Sequence, residues 1–381
     1  MKKTFYEFFA GGGMAHAGLG HDWECLLAND FCKKKADAYA ANWGDESLWV
    51  GDIASIKPEQ LPGQADLAWA SFPCQDLSLA GSGAGLDGDR SGTFWAFLDI
   101  VAGLRLRGRQ PRMIALENVG GAITSRAGKD FEAITQAVSA AGYRVGAMVI
   151  DAVHFVPQSR PRLFIVAVDE ALRIPAQCLS DAPSPAWHPI AIIKAYNRLP
   201  SRLKDRWLWW NPPMPTARLQ TLDDIVEPNP KGVEWHSANE TLNLLQMMSP
   251  VNRQKVIQAQ AAGRLKVGTI YRRTRDGEQR AEARFDGVSG CLRTPGGGSS
   301  RQTIIVVNGS LIRSRLLSPR EAARLMGLED SYALPNRYND AYHLAGDGVV
   351  VPVVSHLATH VFDAVVALNR HAASVTVVAA A

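Results

Sequence analysis

A cysteine stands where an α/β protein places reactive groups. Residues 71–78, SFPCQDLS, directly follow the apolar segment Leu67–Ala70 and put Cys74 just past its end. Ligand sites of open α/β sheets lie at the carboxyl ends of strands, and a thiolate there can act as a nucleophile. The alternative is a buried thiol that packs as a small hydrophobe. Because the five cysteines include no Cys-x-x-Cys spacing, we predict neither a metal site nor a disulfide framework.

Acidic and basic side chains border two other apolar segments. Glu117 directly follows Met113–Leu116, and a carboxyl group at a dry strand end can donate or accept a proton near neutral pH. A structural ion pair is the other explanation. Arg160 and Arg162 precede the apolar segment Leu163–Val168. Two arginines at i and i+2 of an extended chain point the same way, so we expect them to face a phosphate or an anionic intermediate, whereas a single arginine is normally a surface residue.

A glycine-rich turn and two acids come earlier in the chain. Residues 9–13, FAGGG, lie between a strand-like and a helix-like segment, where glycines let a ligand approach the backbone or simply punctuate the chain. Asp30, about twenty residues further on, can accept hydrogen bonds from ribose hydroxyls. Asp52 follows a third strand-like segment. Together they indicate an adenosine-type cofactor, although such acids more commonly cap helices.

Strands and helices must position these residues. The first 170 residues alternate short apolar runs with amphipathic stretches, as in a parallel sheet covered by helices. We predict strands near Thr4–Phe9, Glu24–Asn29, Asp66–Ser71, Met113–Leu116, Arg144–Ile150 and Leu163–Val168, and helices at Lys33–Asn42 and Phe131–Ala141. Near Pro175 the sequence becomes rich in proline and tryptophan, which indicates a domain boundary. Later, Ser318 can cap a helix with Pro319 first and Glu321 three residues after the cap, and Val354–Asn369 is periodic again.

Size and composition exclude several classes of protein. A chain of 381 residues exceeds the roughly 250–300 residues at which one core stops growing, so we expect one large and one smaller domain. With 46% hydrophobic and 20% charged residues, it is neither disordered nor collagenous. No apolar run approaches the ~18 residues of a membrane helix, and we expect no signal peptide at the N-terminus. We therefore expect a cytoplasmic protein without a membrane partner.

The positive charge is concentrated in one part of the chain. The formal net charge is +4, but residues 176–300 hold 17 Lys and Arg against 11 Asp and Glu. This excess of six exceeds that of the whole chain. The segment is therefore the place where a polyanionic partner would bind.

Taken in order, the motifs resemble those of the bacterial and phage DNA cytosine-5 methyltransferase family. The matching motifs are Phe9-x-Gly11-x-Gly13, Phe72-Pro73-Cys74-Gln75, Glu117-Asn118-Val119 and Gln158-x-Arg160-x-Arg162, followed by a variable basic segment. Residues 317–327 and 346–349 resemble the family's last motifs. The resemblance covers the chain from Phe5 to about Leu357, and the order and spacing make a chance match very improbable.

The resemblance implies a class I S-adenosylmethionine-dependent methyltransferase fold, an α/β Rossmann-like domain with a smaller target-recognition domain. Residues 1–175, completed by 310–381, would form the catalytic and cofactor-binding domain. Residues 176–309 would form the target-recognition domain, and 287–298 resemble its end. On this interpretation Cys291 is an incidental thiol.

The resemblance also implies roles for the reactive residues. Cys74 would attack C6 of cytosine, because C5 must become enamine-like before it accepts a methyl group. Glu117 would interact with N3, Arg160 would assist it, and Arg162 belongs to the same catalytic set. The cytosine must be flipped out of the duplex, since stacking covers both ring faces.

Further residues would bind the cofactor, S-adenosyl-L-methionine. The ring of Phe9 would pack on the adenosine, the two motif glycines would admit the methionine end, and the acids would bind ribose and adenine. The set comprises Phe9, Gly11, Gly13, Asp30, Asp52, Ile53, Pro73 and Asp347. The sequence departs from the family at Met14 and Phe155, where glycine is usual, and at Asp347, where asparagine is usual. Asp347 can instead cap a turn between two glycines without touching the cofactor.

We expect double-stranded DNA as the partner, a monomeric enzyme, and a cognate restriction endonuclease encoded nearby where the enzyme is restriction-paired. Three other functions remain open. A tRNA cytosine methyltransferase shares the catalytic set, but the long segment 176–309, with its tryptophan-rich start, favours a DNA reader. A catalytically silent DNA-binding protein would need none of the reactive residues, and a small-molecule methyltransferase would need no basic domain.

Overall fold

The computed structural model of the protein describes residues 2–73, 92–275, 277–294 and 300–379. They form two compact units. The first comprises Met1–Ile150, Pro161–Met214 and Val351–Ala381, and the second comprises Asp151–Arg160 and Pro215–Val350.

The strands are β1 Lys3–Phe8, β2 Trp23–Asp30, β3 Leu48–Val50, β4 Leu67–Ala70, β5 Met113–Val119, β6 Tyr143–Asp151, β7 Pro161–Asp169, β8 Leu179–Ser180, β9 Trp209–Trp210, β10 Lys266–Arg275, β11 Glu278–Arg284, β12 Thr303–Asn308 and β13 Leu311–Leu316. The α-helices are α1 Met14–Leu19, α2 Lys33–Trp43, α3 Thr93–Arg105, α4 Lys129–Ala140, α5 Ile190–Arg198, α6 Ser201–Lys204, α7 Leu222–Ile225, α8 Ala238–Gln246, α9 Pro250–Ala261, α10 Pro319–Leu325, α11 Tyr338–Asp347, α12 Val351–Leu357 and α13 Asp363–Ala379.

A seven-stranded sheet in the order β3-β2-β1-β4-β5-β7-β6 organises the first unit. The strands from β3 to β5 pair in parallel, whereas β7 runs antiparallel to β5. The strand order reverses between β1 and β4. In open α/β sheets such a switch point opens a crevice at the carboxyl ends of the strands, which is where ligands bind.

The six predicted strands of this sheet and both predicted helices are confirmed, each within three residues at either end. Strand β5 extends beyond its apolar segment and takes in Glu117 and Val119. Helix α3 was not predicted. Its Phe94 and Phe97 are fully buried in the core of the unit.

The end of the chain, residues 351–381, returns to the first unit. Helix α12 packs on α1 so closely that a Cβ on Gly18 would lie 2.4 Å from Cβ of Val354. The Ser355 hydroxyl donates to the carbonyl of Gly18 at 2.8 Å. At the start of α13, Asp363 accepts a hydrogen bond from the Trp23 indole and pairs with Lys3 at 2.8 Å.

A four-stranded antiparallel sheet in the order β11-β10-β12-β13 organises the second unit. One face of the sheet packs under α8 and α9 and forms a core that includes Leu244, Val256, Ile270 and Ile305. Helix α10 begins as predicted. The Ser318 hydroxyl accepts a hydrogen bond from the N–H of Glu321, and the Glu321 carboxylate accepts one from the N–H of Ser318.

The limits of the two units differ from the predicted range 176–309. Residues 176–214 belong to the first unit, where Trp207 and Trp209 pack against its core. The tryptophan-rich segment therefore packs on the core of the first unit, and it does not support the interpretation that the protein reads a DNA sequence. Residues 310–350 belong to the second unit, and within this range β13 pairs with β12 in its sheet. A target-recognition role for 176–309 remains a prediction.

One helical run, residues 338–371, is long and apolar enough to cross a membrane by length and composition alone. The expectation that no segment would reach this length and apolarity is wrong for this run. In its most apolar window, 61% is buried inside the protein. Buried core helices pass the same test, so the run is weak evidence for a membrane span.

Candidate active site

Three residues with left-handed backbone shape the turn after β1. Phe9, Gly11 and Gly13 have φ angles of 57°, 57° and 76°. A phenylalanine in this region is strained, and such strain gathers at ligand sites. A Cβ on Gly11 would meet no atom within 4 Å, so a ligand can approach the backbone there. A Cβ on Gly13 would lie 2.3 Å from Nε1 of Trp43, so internal packing already requires that glycine.

Asp30, at the end of β2, holds this turn. Its Oδ2 accepts the N–H of Gly11 at 2.7 Å, and its Oδ1 accepts the N–H of Cys32 at 2.7 Å. The carboxylate is thus fixed beside the glycine turn, where a ribose role stays a prediction. The next residue, Phe31, is 78% exposed.

Asp52 and Ile53 follow β3. Asp52 caps a 3-10 turn, since its Oδ1 accepts the N–H of Ala54 at 2.9 Å. This is the alternative that the sequence left open. Ile53 is 2% exposed and packs in the core, so its side chain supports the loop from below.

The chain leading to the predicted nucleophile is tied to the neighbouring strand. The Asn118 side chain donates to the carbonyl of Phe72 at 3.2 Å and accepts the N–H of Val119 at 2.8 Å. Pro73 follows Phe72 and is half-buried. Cys74 lies outside the described residues.

Glu117 forms an ion pair inside the sheet. Its Oε1 lies 3.3 Å from Nε of Arg162, and the two side chains are 9% and 16% exposed. The pair follows from register, because Glu117 lies opposite Phe164 and so faces the same side as Arg162 two residues away. Arg162 also donates to the carbonyl of Pro161 at 2.9 Å. The guanidinium therefore orients the carboxylate.

Arg160 belongs to the second unit and organises backbone there. It is 2% exposed and donates to the carbonyls of Leu292, Gly346 and Gly348 at 2.8, 2.9 and 2.8 Å. Its Nη1 also lies 3.5 Å from Sγ of Cys291. The two arginines thus have different partners: Arg162 holds a carboxylate and Arg160 holds loops.

Asp347, also in the second unit, ends α11 and is exposed. Its carboxylate accepts a hydrogen bond from the Thr294 hydroxyl. The two glycines that flank Asp347 are those whose carbonyls Arg160 binds. That Asp347 binds the cofactor remains a prediction.

These side chains divide between the units by element. The first unit assembles Phe9, Gly11, Asp30, Asp52, Pro73, Glu117 and Arg162 at the carboxyl ends of β1 to β5 and the adjoining start of β7. A family model for C-5 cytosine-specific DNA methylases matches residues 3–363. The chain belongs to this family. It is a DNA cytosine methyltransferase.

Two type II methyltransferases illustrate the relationship to this methylase. M.HhaI of Haemophilus parahaemolyticus is 26% identical over 364 residues, which cover 94% of this chain and 93% of that enzyme. M.BsuFI of Bacillus subtilis is 35% identical over 176 residues, but the match spans 46% of this chain and 41% of that enzyme.

A solved structure supports the fold of the methylase. The methyltransferase of Entamoeba histolytica aligns with a TM-score of 0.62 over 95% of this chain and 98% of that chain, at 14% sequence identity. The class I α/β fold with an additional sheet region, expected from the motifs, is thereby confirmed.

Two further residues, Asn118 and Phe31, border the candidate site. Asn118 lies in a motif that resembles the family's, but its hydrogen bond to the carbonyl of Phe72 depends on the pairing of β4 and β5. Phe31 directly follows Asp30. An aromatic residue just after the end of a strand was the sequence feature that could have indicated it. Among the described residues, no group of three His, Cys, Asp or Glu side chains could hold a metal ion.

Proposed function

We propose that this methylase transfers a methyl group from S-adenosyl-L-methionine to C5 of a flipped-out cytosine in a specific double-stranded DNA sequence, through a covalent bond between Cys74 and C6. The observation that carries the proposal is the Glu117 carboxylate, fixed by Arg162 at 3.3 Å on the strand beside the one that leads into Cys74. A nucleophile and an oriented acid at adjacent strand ends are what the chemistry requires.

The cofactor's contribution is an electrophilic methyl group on a sulfonium. The residues of the first unit fit such a ligand, because the space above Gly11 is open and Phe31 exposes 78% of its surface beside Asp30. The aromatic rings of Phe9 and Phe31 would pack on adenine, and Asp30 would meet the ribose. The exposed cap Asp52 lies at the next strand end.

The protein groups would act in sequence on the base. The Cys74 thiolate adds to C6, and the ring electrons move toward N3 and C5. Glu117, as a protonated acid or through a strong hydrogen bond, stabilises the charge at N3, and Arg162 holds it in place. After methylation, C5 loses its proton to a base, the thiolate leaves C6, and aromaticity returns.

The second unit would supply DNA binding. It holds 19 Lys and Arg against 15 Asp and Glu, so it carries the whole excess of four positive charges in the chain. Contacts to phosphates by these cations would provide affinity, and groove contacts would provide sequence choice. We place the enzyme in the cytoplasm as a monomer, with a cognate endonuclease where it belongs to a restriction system.

Cys74→Ser tests the nucleophile. A serine hydroxyl is scarcely ionised near pH 7, so methyl transfer should vanish while DNA binding survives. Bisulfite sequencing of host DNA after expression of each protein would report activity, base and sequence context together. Turnover by the variant within tenfold of wild type would rule out the assignment, and methylation of tRNA alone would rule out the DNA substrate.

DNA with 5-fluorocytosine at the target position adds a direct chemical readout. Fluorine cannot leave as a cation, so the bond between sulfur and C6 should persist as a denaturant-resistant adduct. Peptide mapping should find it on Cys74. An adduct on Cys291 would show that the other thiol is the nucleophile.

A further inference from the structure

Arg293 is an exposed cation on an anchored piece of chain in the second unit. On its N-terminal side, the carbonyl of Leu292 accepts a hydrogen bond from Arg160 at 2.8 Å, and the N–H of Leu292 donates to the side-chain oxygen of Gln158 at 3.0 Å. On its C-terminal side, the Thr294 hydroxyl donates to Asp347. The backbone at Arg293 is thus held on both sides, and its side chain is left in contact with solvent.

Two guanidinium groups share one aromatic ring at this place. Arg293 and Arg273 each lie 5.8 Å from the ring centroid of Tyr271, within the range of a cation–π interaction. Tyr271 and Arg273 are two residues apart on β10 and face the same side of the sheet. Glu282, opposite Tyr271 on β11, pairs with Arg273 at 2.6 Å.

The charges of this cluster do not cancel. Two guanidiniums and one carboxylate leave one net positive charge, and the carboxylate pairs with Arg273. An anion that approaches Arg293 would relieve the repulsion between the two cations. A DNA phosphate is such an anion, and arginine binds phosphate through a rigid planar fork.

We infer that Arg293 binds a phosphate of the DNA backbone whatever the base sequence, with Tyr271 as the residue that positions it. This inference rests on the proposed function for its DNA substrate. It adds one specific phosphate-binding residue to the general basic excess of the second unit.

The salt dependence of binding tests the inference. Affinity of Arg293→Ala for three duplexes of unrelated sequence should be measured between 50 and 200 mM salt by fluorescence anisotropy. Without this arginine one phosphate is no longer neutralised, so binding should weaken equally on all three duplexes and the log–log salt slope should fall by about 0.9. Arg107→Ala is the matched control, since it removes one half-exposed arginine from the first unit and should leave the slope unchanged.

Two further variants separate charge from position. Arg293→Lys should keep the slope, because the charge remains. Tyr271→Leu should weaken binding at the wild-type slope, because the charge remains but its support is removed. Thermal melting checks that each variant is folded.

The possible outcomes are distinct. A wild-type slope in Arg293→Ala would overturn the inference, and so would weakening on one sequence alone, which would identify a base contact. Wild-type affinity in Tyr271→Leu would overturn the positioning role. Absence of DNA binding by the wild-type protein would instead contradict the proposed function.

Discussion

At the scale of single residues, Asp347 is the position where the chain departs most consequentially from its family. Its carboxylate accepts the Thr294 hydroxyl, and the carbonyls on either side of it are bound by Arg160. An asparagine could accept the same hydrogen bond through its amide oxygen. The negative charge is therefore unnecessary for this hydrogen bond, and its effect on the cofactor can be tested separately.

We predict that Asp347→Asn folds normally and changes affinity for S-adenosylmethionine only modestly. It should improve binding of an analogue that carries a carboxylate on the transferred carbon, because a like-charge contact at ~4 Å costs on the order of 4 kcal/mol at an effective dielectric near 20, before screening. Isothermal titration with both cofactors measures this. If neither affinity changes, Asp347 lies outside the pocket.

Residue types and spacing predicted which side chains stand at strand ends, but they did not predict their partners. Glu117 and Arg162 were singled out separately, and their ion pair depends on the antiparallel register of β5 and β7. The glycine at 13 was predicted for a ligand, yet Trp43 from another helix already requires it. Such contacts depend on tertiary register, which local patterns do not encode.

At the scale of elements, the carboxyl group of Glu7 is buried where β1 meets α1. Glu7 is 1% exposed, and the backbone N–H groups of Ala15 and His16 donate to its carboxyl group. The pKa of Glu7 is raised to about 8, chiefly by burial; the two backbone donors partly offset that rise, and the nearby Asp30 adds to it. The carboxyl group is therefore protonated in the folded protein near neutral pH.

The buried carboxyl group of Glu7 predicts that the stability of the protein depends on pH. The folded-state pKa of Glu7 lies above its ordinary value, so its contribution is complete below about pH 4.5 and is lost as pH rises through about 8. The glutamine in Glu7→Gln cannot ionise, so this variant should lose none of that stability as pH rises. Urea unfolding from pH 5 to 9 should show the free energy of unfolding of the variant rising relative to wild type, by roughly 4 kcal/mol over this range.

The exposed Glu24 on β2 provides a control. Glu24→Gln should follow the wild-type pH profile, because its carboxylate stays in water. A Glu7→Gln profile parallel to wild type would contradict the protonated, buried carboxyl group.

Elements with a strong local signal were predictable. The apolar strands and the Ser318 cap are written in a few adjacent residues. Helix α3 was missed because it is apolar on most of its surface and so lacks a clear amphipathic period. The tryptophans near residue 207 were misassigned because their composition does not reveal which core they enter.

At the scale of the whole molecule, charge separates the two units. The first is neutral by formal count, and the second carries the excess of four. The sequence located this basic region approximately, and the predicted range 176–309 differs from the residues of the second unit. Pairing of β12 with β13, which joins residues on both sides of position 309, carries the second unit past that position.

The arginine run on β10 provides the test at this scale. Neutralising Arg272, Arg273 and Arg275 together should weaken DNA binding and flatten its salt dependence, by somewhat less than about one unit of log–log slope for each phosphate that is no longer bound. Arg272 and Arg273 alternate between the faces of the sheet, and Arg273 already pairs with Glu282 at 2.6 Å. The slope of the triple variant should therefore fall by less than three bound phosphates would require. The side chain of Arg275 lies outside the described residues.

Single variants at the same positions would divide this effect. Because Glu282 neutralises Arg273 in the free protein, Arg273→Ala also releases a carboxylate that repels phosphate, so it should weaken binding more than removal of the arginine charge alone would. The double variant Arg273→Ala with Glu282→Gln removes that repulsion and should recover part of the affinity. Anisotropy titrations at 50 and 200 mM salt measure both. An unchanged slope in the triple variant would show that this run binds no phosphate, and the basic excess of the second unit would then act through other cations.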